Sequence, residues 1–161
     1  MKYAPSLKDN PNLNLKAIDF AYFNGSFKGF LNDFVAQGNL KSNLGTIAAD
    51  IKMKIPERQQ PTYSGTISSS SFDAGRLFNQ SNLGKTTFNA QLEGASFDVE
   101  GIHIKAKSKF QDFTINGYTY RDIIADGIFD KNKFDGQLLV NDSNLSMAFY
   151  GGIDFRSEER R

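Results

Sequence analysis

The sequence predicts an all-β chain: an elongated, curved antiparallel sheet with one apolar face and little or no helix. Three observations carry this. Between Tyr63 and Phe155, Gly, Phe, Ile and Leu alternate with Ser, Thr, Asn, Asp and Lys in runs such as YSGTISSSSFDAGRLF, GKTTFNAQLEG, GIHIKAKSKF and FDGQLLV. A period of two places the apolar side chains of a strand on one face. The runs are separated by Asn, Asp and Gly pairs suited to hairpin turns, and helical periodicity is thin throughout.

In chain order, residues 1–37 are assigned only as poorly defined N-terminal strands. The window Gly29 to Gly38 sets Phe30, Leu31, Phe34 and Val35 on one helical face, but it is short and bracketed by Gly, so it reads as a strand or a single turn. Gly45 to Ile55 alternates cleanly, with Ile47, Ala49, Ile51, Met53 and Ile55 opposed to Thr46, Asp50, Lys52 and Lys54. Residues 38–161 form the main sheet segment, with a break at 56–62, where PERQQP places Pro at both ends of a polar run and removes two ladder donors. Phe88, Ala90 and Leu92 resume the alternation. Ile102, Ile104 and Ala106 oppose His103, Lys105 and Lys107, and Phe134, Leu138 and Val140 share a face. Such one-sided alternation belongs to antiparallel sheets with one wet face. Asn24-Gly25, Asn116-Gly117, Asp130 to Asn132 and Asn141 to Asn144 are the expected hairpin turns, and Asn79 to Asn82 a short connection. Gly65, Gly94, Gly127 and Gly136 stand inside strands, where glycine permits a bulge, a bend or a close approach.

Composition excludes several classes. Up to residue 80 there are 9 Lys and Arg against 6 Asp and Glu, and from residue 81 there are 10 against 12, so neither half is basic enough to expect nucleic acid. With no Cys, disulfides, thiolate metal sites and Cys nucleophiles are excluded. No apolar run approaches the ~20 residues of a membrane-crossing helix, and the N-terminus lacks the apolar stretch of a signal peptide. His103 is the only histidine and alternates onto the polar face, so a metal site is not expected. Asp122, Asp126 and Asp130 suit outer faces and turns, Asp142 suits a turn, and the phosphate-binding and GxSxG signatures are absent. No catalytic residue, cofactor or metal is expected, and the chain does not read as an enzyme.

Tyr63-Ser64-Gly65-Thr66-Ile67, Phe72-Asp73-Ala74-Gly75-Arg76-Leu77 and Leu83-Gly84 resemble the repeated segment of the translocation and assembly module TamB family, in its Bacteroidetes-type form. The resemblance continues through Gly117-Tyr118-Thr119-Tyr120, Ile123, Asp126-Gly127, Phe134-Asp135-Gly136, Asn141-Asp142, Asn144-Leu145 and Gly152-Ile153-Asp154, and covers about Gly38 to Phe155. The chain departs from that pattern at Asp122, Ser143 and Ala95-Ser96.

The resemblance implies an internal segment of an AsmA-like envelope protein, anchored in the inner membrane of a Gram-negative bacterium by a helix outside this chain. Such a protein spans the periplasm as a long, groove-like, taco-shaped sheet with a hydrophobic groove. It also implies transport of phospholipids toward the outer membrane and support of outer-membrane protein assembly and secretion, with a BamA-like barrel partner met through other regions. The implied ligand is phospholipid acyl chains, worth about 0.8 kcal/mol per buried CH₂. Candidate lining positions are Ile47, Ile51, Met53, Ile55, Phe88, Leu92, Ile102, Ile104, Phe113, Ile115, Leu138 and Val140. Taken without the resemblance, the residues leave open a structural or adhesive β-sandwich in which these side chains pack on one another. They also leave open a small outer-membrane barrel, against which the Lys- and Asp-rich polar face and the lack of aromatic girdles speak.

Overall fold

The computed structural model describes residues 13–96 and 101–154. Nine strands form one antiparallel sheet in strict chain order: β1 (Ala21–Phe30), β2 (Asp33–Ser42), β3 (Gly45–Lys54), β4 (Thr62–Asp73), β5 (Leu83–Ala95), β6 (His103–Ile115), β7 (Tyr118–Asp130), β8 (Lys133–Asp142) and β9 (Leu145–Asp154). Strand packing runs between sheet neighbours, and β1 and β9 remain unpaired edges of an unclosed sheet. At about 4.8 Å per strand, the sheet is about 38 Å wide along its hydrogen bonds. The expectation of an open all-β sheet with little helix is met.

Five connections are two-residue hairpin loops, at Leu31-Asn32, Asn43-Leu44, Asn116-Gly117, Lys131-Asn132 and Ser143-Asn144. Asn116 and Gly117 both have positive φ, 52° and 79°, as a primed turn that matches strand twist requires. The turns expected at Asn116-Gly117, Asp130 to Asn132 and Asn141 to Asn144 are therefore present. Asn24-Gly25 is not a turn: it lies within β1, opposite Asn39 and Gly38. An added Cβ at Gly25 would lie 2.8 Å from Phe23 Cζ and 2.6 Å from Gly38 Cα. Glycine is used there for close approach of two strands under an aromatic ring. The window from Gly29 to Gly38 holds the end of β1, a turn and most of β2. PERQQP is a loop, as expected, but it joins β3 and β4, which are paired from Thr46↔Ser70 to Lys54↔Thr62.

The run YSGTISSSSFDAGRLF does not stay extended to its end. Ala74–Leu77 is a single helical turn, α1, whose first amides are capped because the Asp73 carboxylate accepts from Arg76 N–H at 3.1 Å. A 3₁₀ turn at Leu15–Ala17 lies beside it. Asn43 ties that turn to the sheet: its Nδ2 donates to the Ala17 carbonyl at 2.9 Å, and its Oδ1 accepts from Asp19 N–H at 2.9 Å. Beneath these bonds sits the one small core, Ala17, Leu44 and Phe72, with Ile18, Ile47 and Leu77 packed around it. Leu44 is 2% exposed although it is a turn residue.

Three irregularities bend the sheet. The β4–β5 register shifts between Ser69 and Phe72, where Ser71 has φ 45°, and the β5–β6 register shifts between Leu83 and Thr86 and again between Thr87 and Phe88. Such bulges increase local twist.

Candidate functional site

Cross-strand partners share a face, so the register sorts the side chains. Across all nine strands one face carries the apolar set, arranged in rows that run perpendicular to the strands. One rim is Phe34, Met53, Tyr63, Ile104, Phe129, Phe134 and Ile153. The other is Phe23, Leu40, Ile47, Phe88, Phe110, Ile123, Val140 and Met147, interrupted by Ser69. The two rows between them hold at least one Gly, Ala or Ser on every strand: Gly25, Gly38, Ala49, Gly65, Ala90, Ala106 and Ser108, Gly127 and Ala125, Gly136, and Gly151. This inner band is lower at those small residues and higher at Phe27, Ile51, Ile67, Leu92, Leu138 and Phe149, which share its two rows. From rim to rim the distance is six residues, or about 20 Å along the strands.

Ten of the twelve candidate positions lie on this face: Ile47, Ile51, Met53, Phe88, Leu92, Ile104, Phe113, Ile115, Leu138 and Val140. Ile55 and Ile102 fall outside the strands, in connections held by Ile55 N–H to the Asn32 carbonyl at 2.8 Å and by Lys131 N–H to the Ile102 carbonyl at 2.9 Å. Ile47 belongs to the small core under the 3₁₀ turn, so that margin of the face is covered. Apart from the 3₁₀ turn and α1 at that margin, no element of the described chain packs onto it. Its side chains are mostly half-buried, because they shield one another laterally and nothing lies above them.

Over β6–β9 the face holds a cavity of about 340 Å³ lined by Phe110, Phe113, Ile115, Tyr120, Ile123, Ala125, Leu138, Val140, Leu145 and Met147. Its aromatic wall is fixed by the Phe110 and Phe113 rings, 5.7 Å apart edge to face, and by Phe88 at 5.3 Å from Phe110. Phe110, Ile123 and Met147 were not among the sequence candidates. Their alternation was legible, but only the register aligns them with Phe88 and Val140.

Polar groups on the apolar face are satisfied where they stand. Ser69 Oγ donates to the Thr86 carbonyl at 2.9 Å and Ser108 Oγ to the Ala125 carbonyl at 2.6 Å. At the margin of the cavity, the Asp142 carboxylate accepts from Tyr118 O–H at 2.6 Å, Arg121 N–H at 2.9 Å and Asn144 N–H at 3.0 Å. The Tyr118 hydroxyl bond and the Asn144 amide bond hold the Asp142 carboxyl below its usual pKa, while the bond to Asp142 raises that of the Tyr118 phenol. Asp142 is the turn former the sequence suggested, and it also locks β7 to the β8–β9 hairpin.

The opposite face is polar, with broad shallow depressions treated below. His103 is exposed there, with Nδ1 3.7 Å from Asp130. Among the described residues no group of three or more His, Asp or Glu is placed to hold a metal, and no helix is long and apolar enough to cross a membrane. No family model, curated protein or solved structure matches this chain.

Proposed function

We propose that this chain is a segment of an AsmA-like, TamB-type envelope protein, and that its apolar face carries phospholipid acyl chains between the membranes of a Gram-negative cell. In that reading it is periplasmic, belongs to an inner-membrane-anchored protein, and assists outer-membrane protein assembly through a BamA-like partner contacted by other regions. One observation carries the proposal: among the described residues an apolar face continues across nine strands and is covered only at the margin beside the 3₁₀ turn. Uncovered apolar surface on this scale calls for an occupant. An uncovered face of this kind weighs against the closed-core sandwich.

Leu138 and Leu139 give the test, because they are adjacent and lie on opposite faces, opposite Phe149 and Ala148 respectively. The purified chain is extracted with organic solvent and its phospholipid measured by mass spectrometry. Leu138→Lys places an ammonium in the apolar cavity. Loss of contact with about four methylenes costs about 3 kcal/mol, more than a hundredfold in retention. Leu139→Lys leaves the apolar face unchanged and retains lipid. Wild-type protein free of phospholipid, or equal loss in both variants, defeats the proposal.

A further inference from the structure

Concavities are not confined to the apolar face. Two depressions of about 680 and 670 Å³ lie mainly on the polar face, spanning β2–β7 and β3–β7. Between β3 and β6 their floor is made of short hydroxyl and carboxamide side chains, Thr66 and Ser68 on β4 and Asn89 and Gln91 on β5, with Ser64 and Glu93 continuing the same two strands. Lysines stand on both sides of this floor. Lys52 and Lys54 rise from β3, and Lys105, Lys107 and Lys109 from β6, at alternate positions about 6.7 Å apart. Three strand spacings, about 14 Å, separate the two columns. Among the described residues none of these five lysines is in a salt bridge.

In the first depression Asp50 and Asp126 balance Lys107 and Lys109, so the unbalanced positive charge lies in the second. Lys105 faces Glu93 and Lys54 faces Asp33 across the ladder, without an ion pair in either case. Asp126, opposite Lys107, already accepts from Ser108 N–H at 3.1 Å and Gln137 Nε2 at 3.1 Å. Asp50 lies between Gln37 and Thr66. The depression lined by Lys52, Lys54 and Lys105 holds a single carboxylate, Glu93, and so has a net positive charge with His103 neutral.

We infer that this face binds a linear anionic glycan, its sugar hydroxyls on the Ser, Thr, Asn and Gln floor and its carboxylate or sulfate groups on the two lysine columns. Charge complementarity selects an anion, and lysine offers point charges on flexible stems that suit an irregularly spaced series of acidic groups. The hydroxyl and carboxamide floor selects a polyhydroxylated chain. Single-stranded nucleic acid is disfavoured because this floor lacks the aromatic platforms on which bases stack. The inference does not depend on the lipid proposal, since it concerns the other face.

The probe is polygalacturonate, with neutral dextran and oligo(dT) as comparisons, titrated against the full chain at about 0.01 M salt, where charges act over about 30 Å. Polygalacturonate is expected to bind, and the combined Lys52→Gln, Lys54→Gln, Lys105→Gln variant to bind at least tenfold more weakly while keeping its β-sheet circular dichroism. Lys133→Gln, on β8 outside both depressions, leaves the affinity unchanged. The inference is overturned if the wild type does not bind, if dextran or oligo(dT) binds as tightly, or if the triple variant and Lys133→Gln have the same effect. Loss of the dichroism signal by the triple variant shifts the decision to Lys105→Gln alone, for which an affinity equal to wild type overturns it.

Discussion

Gly65 offers a direct measure of how tightly β3 and β4 are held together. It lies in the inner band of the apolar face, opposite Ile51 and Leu92, with φ 143°. A methyl group built there runs into the Asp50 carbonyl oxygen and lies 3.0 Å from Ile51 Cα. Gly117 also has positive φ, 79°, but an added methyl meets nothing within 4 Å. Both alanine substitutions place an L-residue at positive φ, but only Gly65→Ala also meets backbone atoms. Gly117→Ala is expected to cost about 1 kcal/mol, the strain of an L-residue in the left-handed region. Gly65→Ala adds a displacement of β3 from β4 that weakens about two ladder hydrogen bonds at about 1 kcal/mol each. With strain of about 2 kcal/mol at this more restricted angle, the total is about 4 kcal/mol. Urea unfolding followed by far-ultraviolet circular dichroism gives the difference, and amide exchange assigns it to β3 and β4. Costs within 1 kcal/mol of each other for the two variants refute the close-approach argument.

Two further outcomes follow from the margins of the sheet. The depressed pKa of Asp142 means that its contribution to stability is present above the unfolded carboxylate pKa of about 3.9 and is lost as pH falls through the lower folded value. Tyr118→Phe removes the largest cause of that depression, so carboxyl carbon NMR titration will find the Asp142 pKa higher in the variant; an unchanged value contradicts the assignment. At the opposite end of β2 and β3, Leu44→Ala is expected to cost about 3 kcal/mol as a buried leucine truncation. The loss falls on the segment from Leu15 to Asp19 tied down by Asn43, read as faster amide exchange at Ala17 and Ile18; unaltered exchange there contradicts the local core.

Much of this fold is legible from the alternation alone. The alternation at Gly45 to Ile55, Phe88 to Leu92, Ile102 to Lys107 and Phe134 to Val140 marks strands because apolar and polar residues fall on opposite faces, and the Asn, Asp and Gly pairs after β6, β7 and β8 mark real hairpins. The first two strands were not legible for the same reason reversed. Phe20, Phe23, Phe27, Phe30, Leu31 and Phe34 recur at intervals of one to four, and Asn24-Gly25 has the chemistry of a turn while serving as a strand interior. The helical turn after Asp73 was hidden because a single capped turn leaves no periodicity. Leu44 shows a further limit. Turn residues read as solvated, and its burial depends on Ala17 and Phe72, each more than twenty residues away. The alignment of small residues into a band is likewise a property of register, which pairs Gly127 with Gly136 and Ala49 with Gly38 only after the strands have found one another.

The strictly sequential strand order has a consequence for how such a protein can change its length. With no second layer among the described residues, most strands depend only on the two beside them, as in repeat architectures whose units contact only their neighbours. Adding or removing one hairpin restores both strand polarity and the side on which the oily residues lie, and it leaves distant packing untouched. A sheet of this design can be lengthened or shortened in steps of two strands, about 10 Å each, so its reach can be set by the distance it must cover without redesigning a core.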